Sequence, residues 1–106
     1  MVAAFFTLLF VHFLMDFPLQ GNYLAKAKSR VEATNRDWIY HLGAHAFLHA
    51  FPVYFILGVW WIAALEFVAH FVIDDAKCRG ELTLMQDQGL HIGCKVLWVM
   101  LAVFIA

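Results

Sequence analysis

Histidines and carboxylates recur four residues apart in every long apolar run of this sequence. They are His12 and Asp16; His41, His45 and His49; Glu66, His70 and Asp74; and Asp87 and His91, followed by Lys95. Residues i and i+4 share one face of an α-helix, so each run presents these groups as a stripe. Mixed His and Asp donors on facing helices form sites for divalent cations. This donor mixture suits zinc, manganese or iron better than calcium or magnesium. With one coordination position left open, such a cation makes water nucleophilic near neutral pH, which is hydrolytic chemistry.

The stripes lie where ionisable groups are costly. Of 106 residues, 64% are hydrophobic and only 14% charged, whereas a soluble domain carries about 25% charged residues. The composition therefore predicts an integral membrane protein. An acidic side chain at mid-membrane costs roughly 2.5–3.5 kcal/mol on insertion scales. Repeated several times, that cost rivals the about 5–15 kcal/mol net stability of a small domain. The groups must satisfy one another through hydrogen bonds, a bound cation or a water-filled cavity. A net charge of −1 gives no electrostatic footprint for a nucleic-acid partner. Cys78 and Cys94 form no CxxC pair, so neither a zinc knuckle nor a disulfide framework is indicated.

Four apolar segments position the stripes: Val2 to about Phe17, ended by Pro18; about Trp38 to Leu57; about Trp60 to Asp74; and about Leu84 to Ala106. The expected architecture is all-α, a polytopic four-transmembrane-helix bundle forming a single domain over 1–106. Its helices are expected over about 2–19, 38–57, 60–79 and 84–105. The first and third apolar segments are short for a crossing of about 20 residues, which implies extension into the interface or local thinning of the bilayer. The N-terminal run has no charged start or cleavage site of a signal peptide and reads as a retained span. Asp37 is expected to cap the second helix, a turn near Gly58 to join it to the third, and Gly80 to follow the third. Thr83 and Gln86 fit a capping box at the start of the fourth. Between the first two long helices, Leu24, Ala27 and Val31 suggest a short interfacial helix, with Lys26, Lys28 and Arg30 among lipid headgroups. Trp98 is expected at the interface or facing lipid.

Basic residues give an orientation. Lys26, Lys28, Arg30 and Arg36 fall in the first connection, and Lys77 and Arg79 in the third. The positive-inside rule puts those connections in the cytoplasm, hence an inner-membrane, multi-pass protein with both termini on the outer side. Asp16, His41, Asp74 and Asp87 then all lie at cytoplasmic helix ends, so four polar stripes meet at one depth.

Three stretches carry a resemblance: "HFLMDFPLQ" (His12 to Gln20), "HFVIDDAK" (His70 to Lys77) and "DQGLHI" (Asp87 to Ile92). Together they resemble DUF3307, a bacterial membrane-protein family with H-x-x-x-D-F-x-x-Q, H-x-x-x-D-x-x-K and D-Q-x-x-H motifs on successive helices. The match covers essentially the whole chain. It implies a fold and no reaction, and it marks His12, Asp16, Gln20, His70, Asp74, Lys77, Asp87, Gln88 and His91. The pattern is also similar to small membrane-bound metal-dependent hydrolases with His and Asp on helices, an analogy only.

The resulting expectation is a metal-dependent membrane protein, a hydrolase acting at the cytoplasmic leaflet on a lipid-linked or phosphorylated substrate. His12, Asp16, His45, His70, Asp74 and His91 are the candidate metal ligands for Zn, Mn or Fe. Asp87 is a candidate base. Lys77 is a candidate catalytic residue through the motif, though on its own it reads as a headgroup anchor. His49 is as consistent with a core histidine as with a ligand, and His41 is better read as interfacial. Glu66 would be protonated or would pair with His49 or Lys95. The alternatives are an ion or proton pathway, or an accessory subunit whose polar network serves assembly. Membrane lipids, and a homo-oligomer or larger complex, are the expected partners.

Overall fold

The computed structural model describes residues 1–33 and 36–105. Thr34 and Asn35 of the first connection, and Ala106 at the end of the fourth apolar run, lie outside the described residues. Among the described residues there are five helices and no strand: α1 (Val2–Asp16), α2 (Gly21–Ala27), α3 (Trp38–Leu57), α4 (Trp60–Cys78) and α5 (Leu84–Ile105). α1 packs on α3 and α5, α3 on α4, and α4 on α5, so the four long helices close a ring, with α2 against α3.

Local chemistry explains most of the boundaries. Proline disfavours helical backbone at the residue before it. With Pro18 next in sequence, Phe17 leaves the helix at φ −115°, ψ −82°. The first helix therefore stops at Asp16 rather than near 19, and α2 departs at 85° to it. Gly58, at φ +74°, takes the left-handed conformation that closes α3, its N–H donating to the Tyr54 carbonyl at 2.7 Å. That conformation costs glycine little, and it permits the tight turn into α4. The capping box is complete: the Gln86 N–H donates to Thr83 Oγ1 at 3.1 Å, and the Thr83 N–H donates to Gln86 Oε1 at 3.0 Å. Asp37 differs from expectation. It occupies the N-cap position of α3 without a side-chain cap bond, and its backbone carbonyl accepts from Tyr40 and His41.

Among the described residues, only α5 is by itself long and apolar enough to cross a membrane; α1 and α2 pass together as a bent pair. The four expected crossings are thus not carried by length and mean hydropathy. α1 has 15 residues, α3 contains His41, His45 and His49, and α4 contains Glu66, Asp74, Asp75 and Lys77. The interior is divided along its length. Leu8, Val53, Ile62, Ala63, Trp98 and Ala102 form an apolar core in one part. The other part is filled by histidines and acids.

Candidate metal centre

The helix ends near Pro18 and Thr83 bring the polar stripes to one level. Asp16 closes α1, Asp74 lies one turn before the end of α4, Asp87 is in the first turn of α5, and His45 is in the second turn of α3. The groups are in direct reach of one another. Asp16 Oδ1 is 3.1 Å from His45 Nε2, 3.2 Å from His49 Nε2 and 3.8 Å from His70 Nε2. Asp74 Oδ2 is 3.2 Å from His45 Nε2 and 3.3 Å from His70 Nε2. Its other oxygen, Oδ1, is 3.1 Å from His91 Nε2, which also lies 3.5 Å from Asp87 Oδ1. The His49 and His70 rings stack, with centroids 3.8 Å apart. All of these residues are buried, Asp16 being the most exposed at 8%.

Neighbours outside the stripes complete the cluster. Gln88 donates from Nε2 to Asp16 Oδ2 at 3.0 Å and to Asp87 Oδ2 at 2.9 Å, and its Oε1 lies 3.0 Å from His12 Nε2. His12 is therefore engaged chiefly with Gln88, although its Nε2 also stands 3.5 Å from Asp16 Oδ2. Lys28 Nζ donates to Asp74 Oδ2 at 2.9 Å. Arg30 makes two parallel bonds to Asp75, at 2.9 and 2.7 Å, and its guanidinium lies 4.5 Å over the Trp38 ring. A paired fork of this kind fixes orientation as well as charge. The segment expected to lie among headgroups is tied onto α4 by Lys28 and Arg30. Val31, which follows the end of α2, is exposed.

The hydrogen bonding around the cluster is incomplete. His49 Nε2, His70 Nε2 and Asp87 Oδ1 are buried with no hydrogen-bond partner, despite neighbours within 3.2–3.5 Å. An unsatisfied buried polar atom costs about 1–3 kcal/mol. Close polar atoms that face one another without aligning as hydrogen bonds suit a cation between them. The residues form three overlapping groups whose ligand atoms are mutually within 4.8 Å: Asp16, His45, His49 and His70; His12, His70 and His91; and Asp16, Asp74, Asp87 and His91. The donor set and its spacing fit a divalent metal.

Towards the apolar core a second polar group is arranged differently. Lys95 Nζ donates to Glu66 Oε1, which also accepts from Trp98 Nε1 at 3.1 Å. Glu66 Oε2 is 3.4 Å from His70 Nδ1. Glu66 thus pairs with Lys95, one of the two partners anticipated for it. Trp98 is buried at 4% exposure rather than facing outward, because its indole N–H has an acceptor inside.

His45, His70, Asp74, His91, Asp16, His12 and Asp87 all meet at the cluster. Lys77 lies apart from it, half-buried in the wall of a cavity of about 430 Å³. Asp16, Asp74, Asp87 and Gln88 border the same cavity, with Lys28, Phe17, Val31 and Leu84. His49 belongs to the cluster by its contact with Asp16. His41 stays outside, its ring edge-on to Tyr23 at 5.8 Å. Lys28 and Asp75 are the additions that sequence reading missed: Lys28 looks like any other basic residue of its segment, and Asp75 has only its neighbour Asp74 to mark it.

The family described as "Protein of unknown function (DUF3307)" matches residues 4–105. The chain belongs to DUF3307. The match spans all four long helices and so takes in the whole cluster. No curated protein and no solved structure matches the chain.

Proposed function

We propose that this DUF3307 chain is a multi-pass membrane protein that binds a divalent metal in the His/Asp cluster and hydrolyses a phosphorylated or lipid-linked substrate there. The observation that carries the metal is the set of buried, unpartnered atoms His49 Nε2, His70 Nε2 and Asp87 Oδ1 at the meeting point of four helices.

Membrane residence is supported by which faces are apolar. Lipid meets only the outside of a bundle, whereas mean hydropathy averages both faces. Phe6 and Phe10 on α1, Phe51 and Phe55 on α3, Val68 and Val72 on α4, and Met100 and Phe104 on α5 are exposed. The histidines and acids that lower the averages of α3 and α4 are mostly turned inward. An exposed apolar surface of this extent needs a cover, and a bilayer supplies one on every side. The basic residues near the cluster favour the cytoplasmic side for the cavity and the outer side for both termini.

Hydrolysis is supported by the cavity that reaches Asp16, Asp74 and Asp87. Lys77 in its wall and Lys28 at Asp74 provide positive charge for an anionic group. Phe17, Val31 and Leu84 provide apolar contact suited to an acyl or prenyl chain. When bound, the metal supplies Lewis acidity. Asp87, with one oxygen held by Gln88 and the other without a hydrogen-bond partner, is positioned as a metal ligand rather than as the base.

The test is elemental analysis of the chain purified in detergent, followed by phosphate release from long-chain and short-chain phosphate monoesters with Mn²⁺ or Zn²⁺. Metal retention and a preference for the long-chain ester are expected. Absence of metal, with no thermal response to added Mn²⁺ or Zn²⁺, defeats the reading.

A further inference from the structure

We infer that the cluster holds two divalent cations side by side, with Asp16 and Asp74 each contributing one carboxylate oxygen to each cation. The inference rests on the metal-binding reading above and deepens it.

Two carboxylates are shared between distinct groups of ligands. Asp16 Oδ1 faces the imidazoles of His45, His49 and His70, while Asp16 Oδ2 faces His12 and Gln88. Asp74 Oδ2 faces His45 and His70, while Asp74 Oδ1 faces His91. Asp74 Oδ2 thus reaches the first set through His45 and His70, and Asp16 Oδ2 reaches the second by way of Gln88, which also holds Asp87. The first set is Asp16, His45, His49 and His70; the second is Asp16, Asp74, Asp87 and His91. One cation cannot use both sets fully, because a transition-metal ion takes about four to six donors and the two sets together offer more. Each set also keeps its own unpartnered buried atoms: His49 Nε2 and His70 Nε2 in the first, Asp87 Oδ1 in the second. A single ion would leave one of them unsatisfied. Carboxylates shared between paired metals on four helices are an established way of building such centres in bundles.

The two positions differ in character. The first is rich in imidazole and the second in carboxylate, so softer borderline ions favour the first and Mn²⁺ is well suited to the second. Lys28 occupies the Asp74 oxygen nearest the first position. Its ammonium supplies positive charge to that oxygen and competes with the cation there.

Mn²⁺ titration of the full chain in detergent micelles, read by metal content after desalting and by electron paramagnetic resonance, decides the matter. Saturation at two Mn²⁺ per chain with an exchange-coupled spectrum is expected. His49→Gln and Asp87→Asn, which each touch only one position, should each leave one Mn²⁺ with an uncoupled six-line signal. Saturation of the unaltered chain at one Mn²⁺ with an isolated six-line signal overturns the inference while leaving a metal site standing. A chain that binds neither Mn²⁺ nor, in a parallel titration, Zn²⁺ overturns both. The stoichiometry of the unaltered chain carries the decision even if a variant fails to fold.

Discussion

The two polar regions of the bundle interior are built to opposite rules. Around Glu66 the charges match: one carboxylate meets one ammonium, and its Oε1 accepts from both Lys95 and the Trp98 indole, while Oε2 faces only His70 Nδ1, at 3.4 Å and without a hydrogen bond. Around Asp16, three carboxylates (Asp16, Asp74 and Asp87) meet five histidines, the ammonium of Lys28 bonds Asp74, and buried imidazole and carboxylate atoms lack hydrogen-bond partners. A pair of the first kind is neutral as a unit, one carboxylate against one ammonium. A cluster of the second kind crowds several carboxylates and imidazoles together with unsatisfied polar atoms among them, a state that low-dielectric surroundings penalise. On the proposed reading, the difference separates a group that fixes packing from one able to hold a cation.

Opening the closed pair should have the strongest consequence. Lys95→Met leaves Glu66 buried and uncompensated, and loss of one partner of such a pair costs about 3–5 kcal/mol. The thermal unfolding temperature in detergent should fall strongly, while metal content per folded chain stays unchanged. Replacing both partners together, as Glu66→Leu with Lys95→Met, should recover most of the loss. If Lys95→Met instead sheds metal at unchanged stability, the two regions are not distinct.

Asp16→Asn addresses the open cluster. Removing a carboxylate that serves both ligand sets should weaken Mn²⁺ binding beyond the roughly 10–100-fold typical of residues that only orient a ligand. Equilibrium dialysis measures it. A change of less than tenfold places Asp16 outside the ligand set.

Linkage tests the same contrast through stability. A ligand present at about 100 times its Kd stabilises the folded state by about 2.7 kcal/mol. Mn²⁺ should therefore raise the melting temperature of the unaltered chain and of Lys95→Met alike, and leave Asp16→Asn unmoved. An equal response in all three would mean that the cation binds elsewhere.

A weaker effect concerns Lys28, whose ammonium competes at Asp74. Lys28→Met should tighten Mn²⁺ binding several-fold by removing a like charge beside the cation, and should lower turnover of an anionic ester. Weaker metal binding in this variant would make Lys28 a structural prop of the site instead.

Much of the fold is legible because it follows from local rules. Pro18, Gly58 and the Thr83–Gln86 box mark their boundaries by backbone sterics and capping, which act within a few residues. The i, i+4 stripes show which face of each helix is polar. Lys28 is not legible in this way. Lys26 and Lys28 sit two residues apart in one basic segment, yet Lys26 is exposed and Lys28 buried. The path of the chain around a lysine decides whether it turns inward, and no local signature reports that path. Trp98 turns inward for a similar reason. Its acceptor, Glu66, lies 32 residues away, and a propensity for interfaces carries no knowledge of a buried partner.

The helices, their polar faces and the level at which those faces meet could be read along the chain alone, because helical period and capping act locally. Three outcomes were settled by packing in three dimensions: which oxygen of Asp16 and of Asp74 faces which histidines, the entry of Lys28 into the cluster, and the closure of Lys95 on Glu66. They depend on the rotation and separation of helices distant in sequence, and only the assembled bundle sets both.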